Sequence, residues 1–177
     1  MPSSAEHREH VLSEAPTQAD ADAYKLRSTL VAKGVGVVTA VAGRWDHAVT
    51  VTDFLSVSYD PPTIVVSLYE LSRIADAVTD AGRFGLSLLA TDQRRIADWL
   101  GEQGAPLPGL LDQVPHFRRQ PGAPALIEGA LAWFDLRVVA VHTAATHRLV
   151  VGEVTAMSES VPWALHPLVR WRSQYGP

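Results

Sequence analysis

The stretch TVTDFLSVSYDPPTIVVSL, residues 50–68, decides the fold of this chain. Two apolar runs rich in β-branched residues flank Pro61 and Pro62, and this pattern predicts two strands joined by a turn. Hydroxyl side chains recur every second or fourth residue before the prolines. Residues two apart in a strand share a face. We therefore expect one polar side suited to a ligand such as a phosphate, formed by Thr50, Thr52, Ser56 and Ser58.

The composition excludes several classes of function. The 177 residues are 47% hydrophobic with a mean hydropathy of +0.05, which suits one globular domain with a sizeable core. A net charge of −4 and a pI of about 5.9 argue against nucleic-acid and anionic-membrane partners. The absence of cysteine excludes disulfides, thiolate metal sites and cysteine nucleophiles. No apolar run could span a bilayer and the polar N-terminus is not a secretory signal, so we expect a cytoplasmic protein.

The order of predicted elements indicates an antiparallel β protein. Residues 1–16 are expected to form a flexible tail ahead of a single domain over residues 17–177. Helices are predicted over about 17–33, over 71–81, and from 91 or 92 to 100. Strands are predicted on both sides of a turn at 42–46, after Pro62, and over 84–89, 125–127, 130–141 and 149–157. The Gly- and Pro-rich segment 101–122 is predicted to be a loop that could lie over a pocket. Successive strands with short connections favour an antiparallel barrel over a parallel sheet.

Short motifs exclude several kinds of site. Gly34 and Gly36 come nearest to a dinucleotide fingerprint, but the third glycine and the following helix are missing, and there is no Walker A or GxSxG sequence. None of the seven histidines forms a tight pair of metal ligands. His142 and His147 lie five residues apart across a predicted turn and would need a third ligand. We therefore expect no metal.

Five segments, in the expected order, resemble those of one known family. Residues 47–62, HAVTVTDFLSVSYDPP, resemble HGMTVSSFTSVSLDPP, and residues 34–40, GVGVVTA, look like the strand TGVxVVTA. The matches continue in GRFGLSLL, ALAWFDL and THRLVVGEV at residues 82–89, 130–136 and 146–154. The chain is thus similar to the flavin reductase-like family, which has the FMN-binding split-barrel fold.

The resemblance implies a fold, an activity and partners. The fold would be mainly β, a six-stranded antiparallel split barrel with two or three flanking helices, assembled as a homodimer. The activity would be that of an NAD(P)H-dependent flavin reductase, which in many members is the reductase component that serves a partner monooxygenase. FMN or FAD would be held near the subunit interface, with NADH or NADPH as the co-substrate and small-molecule ligand.

The resemblance also places the site residues. Thr50, Val51, Thr52 and Asp53 would meet the isoalloxazine ring and the ribityl chain, with Ser56 on the same hydroxyl face. Ser67, Ser72 and Arg73 would lie near the flavin phosphate, which is a group that hydroxyls, helix N–H groups and an arginine suit on chemical grounds. His147 would lie beside the nicotinamide and the flavin.

Four positions depart from the family pattern and keep a second hypothesis open. Asp53 replaces a small neutral residue, Ile74 a phosphate-binding hydroxyl, and Thr146 an aspartate before the family histidine. Trp171 lies in RWRSQY, where the family often has YHRGRY. A carboxylate at position 53 would repel a phosphate or a reduced flavin. The alternative is a repurposed barrel without a cofactor, in which Asp53 and His147 act as an acid–base pair on a small biosynthetic molecule, or which only binds such a molecule.

Overall fold

The computed structural model describes residues 9, 11–12, 14–159 and 163–176, so most of the predicted tail over residues 1–16 lies outside the described residues. The strands are β1 (Lys33–Gly34), β2 (Gly36–Ala42), β3 (Trp45–Val51), β4 (Phe54–Tyr59), β5 (Pro62–Tyr69), β6 (Arg83–Leu88), β7 (His116–Phe117), β8 (Leu126–Ile127), β9 (Ala132–Ala144), β10 (His147–Met157), β11 (Val169–Trp171) and β12 (Gln174–Gly176). The α-helices are α1 (Gln18–Ser28), α2 (Arg73–Ala81) and α3 (Arg94–Gly101).

Seven strands form one antiparallel sheet in the order β3-β2-β6-β9-β10-β5-β4. Six of them, all except β4, contribute buried side chains to a common core that also takes side chains from α2. The sheet therefore wraps around this core as a barrel, and the prediction of a mainly β split barrel is confirmed. The seventh strand, β4, extends the sheet at the end of the strand order.

Close packing inside the barrel requires a glycine at position 152. A Cβ atom there would lie 2.7 Å from two ring carbons of Phe84 and 3.0 Å from Cβ of Leu136. The pairing of β9 with β10 shifts register between Val151 and Gly152, which is the kind of irregularity that bends a strand. The ring of Phe84, which has no exposed surface, thus occupies the space that the missing side chain leaves.

The first helix is shorter than predicted. Thr17 caps it as expected: its Oγ1 accepts from the Asp20 N–H and the Asp20 carboxylate accepts from the Thr17 N–H, a capping box. The prediction extends to residue 33, but the helix ends at Ser28. The reason is tertiary, because the carbonyl of Thr29 accepts a hydrogen bond from the Arg172 N–H and the chain then enters β1.

Four short strands were not predicted, β1, β7, β11 and β12, whereas β8 confirms the strand predicted over 125–127. β1, β11 and β12 form a small separate sheet, and β7 pairs with β8. The prediction of a continuous loop over 101–122 is therefore wrong at His116–Phe117.

The third helix also differs from the prediction, because Thr91–Gln93 form a 3₁₀ turn before α3 begins at Arg94. None of the helices in the described part of the chain is long and apolar enough to cross a membrane.

Candidate functional site

A cavity of about 640 Å³ opens where β3, the start of α2 and the segment after α3 meet. This site cavity is lined by His47, Thr50, Tyr69, Ser72, Arg73 and the segment 100–110, among others. The structure thus brings three of the predicted site residues together, Thr50, Ser72 and Arg73. The predicted loop does lie beside a pocket, as expected from its position after the third helix.

Ser72 and Arg73 stand at the N-terminus of α2. Ser72 is the helix cap: its Oγ accepts from the Ala75 N–H at 3.3 Å and donates to the carbonyl of Tyr69 at 2.6 Å. Arg73 Nη2 donates to the carbonyl of Ala105 at 2.5 Å, across the cavity mouth. The helix N-terminus and the guanidinium therefore place positive charge at one end of the cavity.

His47 lines the same cavity and was not predicted as a site residue. Its Nδ1 is shielded from solvent and has no hydrogen-bond partner. Burial and the nearby charge of Arg73 lower the pKa of His47, and Asp46 opposes this only in part. The only sequence feature that could have pointed to His47 was its position at the start of the segment 47–62. His47 and Arg73 come close because β3 packs against α2, and the local sequence does not specify that packing.

The predicted hydroxyl face over residues 50–58 is wrong. β3 ends at Val51 and β4 begins at Phe54, and these two strands stand at opposite ends of the sheet order. Thr50 faces the site cavity and donates to the carbonyl of Ala97 at 2.8 Å, whereas Ser56 is exposed on β4. Ser58 donates to the carbonyl of Asp60, beyond a register shift in β4. The prediction assumed one continuous strand with alternating faces, but residues 52–53 interrupt it between β3 and β4.

The segment at residues 51–53 lies apart from the lining of the site cavity. The side chain of Val51 is buried in the barrel core, and Thr52 is half-buried. Asp53 is 58% exposed in its side chain, and its Oδ1 lies 2.5 Å from Lys33 Nζ. The backbone carbonyl of Asp53 accepts from the Ser67 N–H at 2.8 Å. Asp53 and Ser67 are therefore neighbours, and the carboxylate is neutralised by a lysine.

His147 begins β10 and is connected to the site cavity through Tyr69. The two rings make an edge contact with centroids 5.8 Å apart. Thr146 Oγ1 lies 3.0 Å from His147 Nδ1, so a hydroxyl orients the ring at the position where the family has a carboxylate. The structure gives Asp53 and His147 separate partners, Lys33 on one side and Tyr69 with Thr146 on the other, and does not join them as an acid–base pair.

The other two departures have structural roles. Ile74 is buried in the barrel core and also borders the site cavity. Where the family pattern has a hydroxyl, this chain therefore has an apolar side chain that packs in the core. Trp171 Nε1 donates to the carbonyl of Leu30 at 3.2 Å, and its ring lies under the guanidinium of Arg172. Both residues therefore stabilise the scaffold.

Two further cavities border α3 and the C-terminal strands. One, of about 630 Å³, is largely apolar and is lined by Arg94, His166 and Tyr175 among others. The second lies beside it and shares Arg94 and Tyr175. None of the predicted site residues lines either cavity. Among the residues that the structure describes, no group of three or more histidine, aspartate or glutamate side chains could hold a metal ion.

A cavity lined by a guanidinium and hydroxyl groups at a helix N-terminus suits an anionic ligand. The chain belongs to the family described as the flavin reductase like domain, whose model matches residues 27–177. It is similar to the NADH-dependent flavin reductase StyB of Pseudomonas fluorescens, with 31% identity over 159 residues, covering 88% of this chain and 89% of StyB.

Two further comparisons agree. The reductase component of 4-hydroxyphenylacetate 3-monooxygenase from Thermus thermophilus is 29% identical over 156 residues, covering 87% of this chain and 94% of that protein. The crystal structure of BorF, the flavin reductase component of a bacterial two-component tryptophan halogenase, superposes with a TM-score of 0.78 at 30% identity, covering 89% and 97% of the two chains. The prediction of an NAD(P)H-dependent flavin reductase is therefore confirmed at the level of the family.

Proposed function

We propose that the site cavity holds the phosphate-bearing end of the flavin in an NAD(P)H-dependent flavin reductase. The observation that carries this proposal is the convergence of Arg73, the capped N-terminus of α2 and the unpartnered imidazole of His47 on one cavity. Backbone N–H groups, a guanidinium and an imidazole are the donors that a phosphate monoester prefers. The volume of about 640 Å³ also falls within the usual range for small-ligand sites, roughly 300–1,000 Å³.

The residues present fit a flavin in distinct roles. Arg73 and the N–H groups at the start of α2 would bind the phosphate, and Thr50 would border the ribityl chain. The backbone of residues 51–53, which lies outside the cavity lining, would border the ring end of the flavin. When bound, the flavin supplies the ring that accepts hydride from NAD(P)H. The protein needs no acid or base for that transfer. Its side chains bind, orient and exclude water, and His147 is held by Tyr69 and Thr146 beside the cavity.

Three finer expectations remain proposals of the same kind. A partner monooxygenase would take up the reduced flavin, as suits a relative named as a reductase component. The chain would act as a homodimer, which the large exposed apolar side chains of β4 support. Its location would be the cytoplasm, where NAD(P)H is regenerated. The cofactor-free alternative has less support, because Asp53 is neutralised by Lys33 and stands apart from His147.

The test is anaerobic titration with FMN and then FAD, followed by an NADH-oxidation assay. We expect saturable quenching of flavin fluorescence and NADH turnover. Arg73→Gln should raise the Kd and KM for FMN about tenfold, because one charge-assisted hydrogen bond contributes on the order of 1.5 kcal/mol.

The matched control is Arg95→Gln, which removes an exposed arginine from α3 and should leave both constants unchanged. If Arg73→Gln and the wild type had equal Kd and KM values for FMN, Arg73 would not belong to the flavin site. Absence of both binding and turnover with either flavin would overturn the proposed function itself.

A further inference from the structure

His47 differs from the other described side chains around the site cavity because it has a buried polar atom without a hydrogen-bond partner. Its Nδ1 is enclosed without a hydrogen bond, although buried polar groups almost always have one. The ring still lines the cavity, so Nε2 is the ring nitrogen open to a ligand. A histidine with a purely structural role would be expected to use its shielded nitrogen.

Two charged groups act directly on His47, namely Arg73 from α2 and Asp46 from its own strand. The helices packed against β3 carry further charges: Asp76 and Asp80 on α2, and Arg94, Arg95 and Asp98 on α3. Glu102 and Tyr69 also line the cavity, and the paired position on β2 is the uncharged Ala40. Asp46 pairs with Arg118, Asp76 with Arg148 and Asp98 with Arg94. Glu102 is exposed at the rim.

The protein surroundings of His47 disfavour a charged imidazole. Burial and the neighbouring guanidinium of Arg73 both act against protonation. An arriving phosphate would reverse this balance, because two negative charges beside the ring favour the imidazolium and provide an acceptor for its Nε2–H.

We propose that His47 takes up a proton when the phosphate of the flavin binds, so that His47 and Arg73 together form a proton-linked phosphate site. This rests on the proposed function, because it assigns the phosphate end of the flavin to this cavity. The proton comes from solvent and is released when the ligand leaves, so the ligand itself is chemically unchanged. FMN, which carries a phosphate monoester, should bind with proton uptake, and riboflavin, which lacks it, should not.

The experiment is isothermal titration calorimetry of the full chain at pH 7.5 in buffers of different ionisation enthalpy. The phosphate monoester, with a second pKa near 6, is almost entirely a dianion there. We expect uptake of a substantial fraction of one proton with FMN and none with riboflavin. From pH 6.5 to 8.5 the Kd for FMN relative to riboflavin should rise, by at most about tenfold per pH unit for one linked proton.

His47→Gln keeps a hydrogen-bonding group but cannot take up the proton, and should abolish both the uptake and the pH dependence. His47→Asn, which is smaller, provides a second variant. His142→Gln removes an exposed histidine on β9 and should leave the uptake unchanged.

FMN binding without proton uptake in the wild type, or uptake that persists in either His47 variant, would overturn this inference while leaving the flavin site in place. If neither FMN nor riboflavin binds, the proposed function fails and this inference fails with it.

Discussion

Asp53 shows how a residue that departs from a family pattern can find a compensating partner within the chain. Alone, a carboxylate there would repel an anionic ligand. In the structure Lys33 Nζ lies 2.5 Å from its Oδ1, so the position presents a neutral pair. Lys33 reaches it from β1, which pairs with β11. The substitution at position 53 and the lysine on β1 are therefore best understood together.

We predict that Lys33→Met raises the Kd for FMN severalfold, because it leaves the Asp53 carboxylate unpaired on the segment proposed to border the ring end of the flavin, outside the cavity. An exposed ion pair contributes only about 0–1 kcal/mol to stability, so the melting temperature should hardly move. FMN titration by fluorescence quenching measures the first effect and thermal unfolding the second.

The double variant Lys33→Met with Asp53→Ser should restore the affinity, since the unpaired charge is then gone. Lys25→Met, an exposed lysine on α1, is the matched control. A double variant no better than Lys33→Met alone would show that Asp53 is not the source of the repulsion.

At the scale of elements, the buried carboxylate of Asp135 connects three parts of the chain. Asp135 on β9 is 2% exposed. Arg83 Nε on β6 donates to its Oδ1 at 2.7 Å, and Arg119 Nη1, from the segment before β8, donates to its Oδ2 at 3.1 Å. Burial opposes ionisation, but the two arginines outweigh it and hold the pKa of Asp135 below its ordinary value.

The sign of the pH effect follows from this direction. A carboxyl whose pKa is lower in the folded than in the unfolded chain contributes its full stability above the unfolded value of about 3.9. The contribution is lost as the pH falls from there toward the folded value. We predict that Asp135→Asn lowers the free energy of unfolding at pH 7 by about 2–4 kcal/mol, because two arginines lose their charged partner.

Urea unfolding at pH 7 and at pH 3 measures this prediction. The difference in the free energy of unfolding between the wild type and Asp135→Asn should be smaller at pH 3 than at pH 7. Asp98→Asn, which removes one side of an exposed pair with Arg94 on α3, should change stability by no more than about 0.5 kcal/mol. A constant gap at both pH values would contradict the assigned role.

Element prediction succeeded where the local signal was strong and failed where tertiary contacts decide. Pro61 and Pro62 correctly separated two strands. The hairpin of β11 and β12 was missed because its turn residues, Arg172 and Ser173, adopt positive φ values of 50° and 62°. That conformation usually calls for glycine or asparagine, so the sequence carries no turn signal there.

For the whole molecule, the fold follows from local sequence patterns, whereas the site depends on tertiary contacts. The succession of strands along the chain and the family were predictable because they depend on patterns along the sequence, whereas the order of strands in the sheet was not predicted. Thr50, Ser72 and Arg73, which the resemblance transferred, line one cavity in the structure, and their roles toward a flavin stay predictions. His47 was not predicted to line this cavity, because its position there depends on residues 26 positions apart meeting across the barrel surface.

The exposed strand β4 is the feature that most suggests association. It is the last strand in the sheet order, and Leu55, Val57 and Tyr59 are 57%, 57% and 92% exposed. An apolar strand at a sheet edge tends to be covered by a partner. We predict that Val57→Asp shifts a dimer to monomers in sedimentation velocity, because it introduces a charge into that surface.

Gln113→Glu adds a charge to an exposed loop and should leave the oligomeric state unchanged. A wild type that is monomeric at micromolar concentration, or a dimer indifferent to Val57→Asp, would exclude this surface as the interface.

The contact between Phe84 and Gly152 has a consequence for how this chain can evolve. Since a Cβ at position 152 would overlap the aromatic ring, neither position is free to drift alone. A larger residue at 152 becomes acceptable only in a lineage that has already reduced the side chain at 84, and that intermediate carries a void in the barrel. We therefore expect substitutions at the two positions to be coupled, and this coupling narrows the mutational routes by which the barrel wall can change.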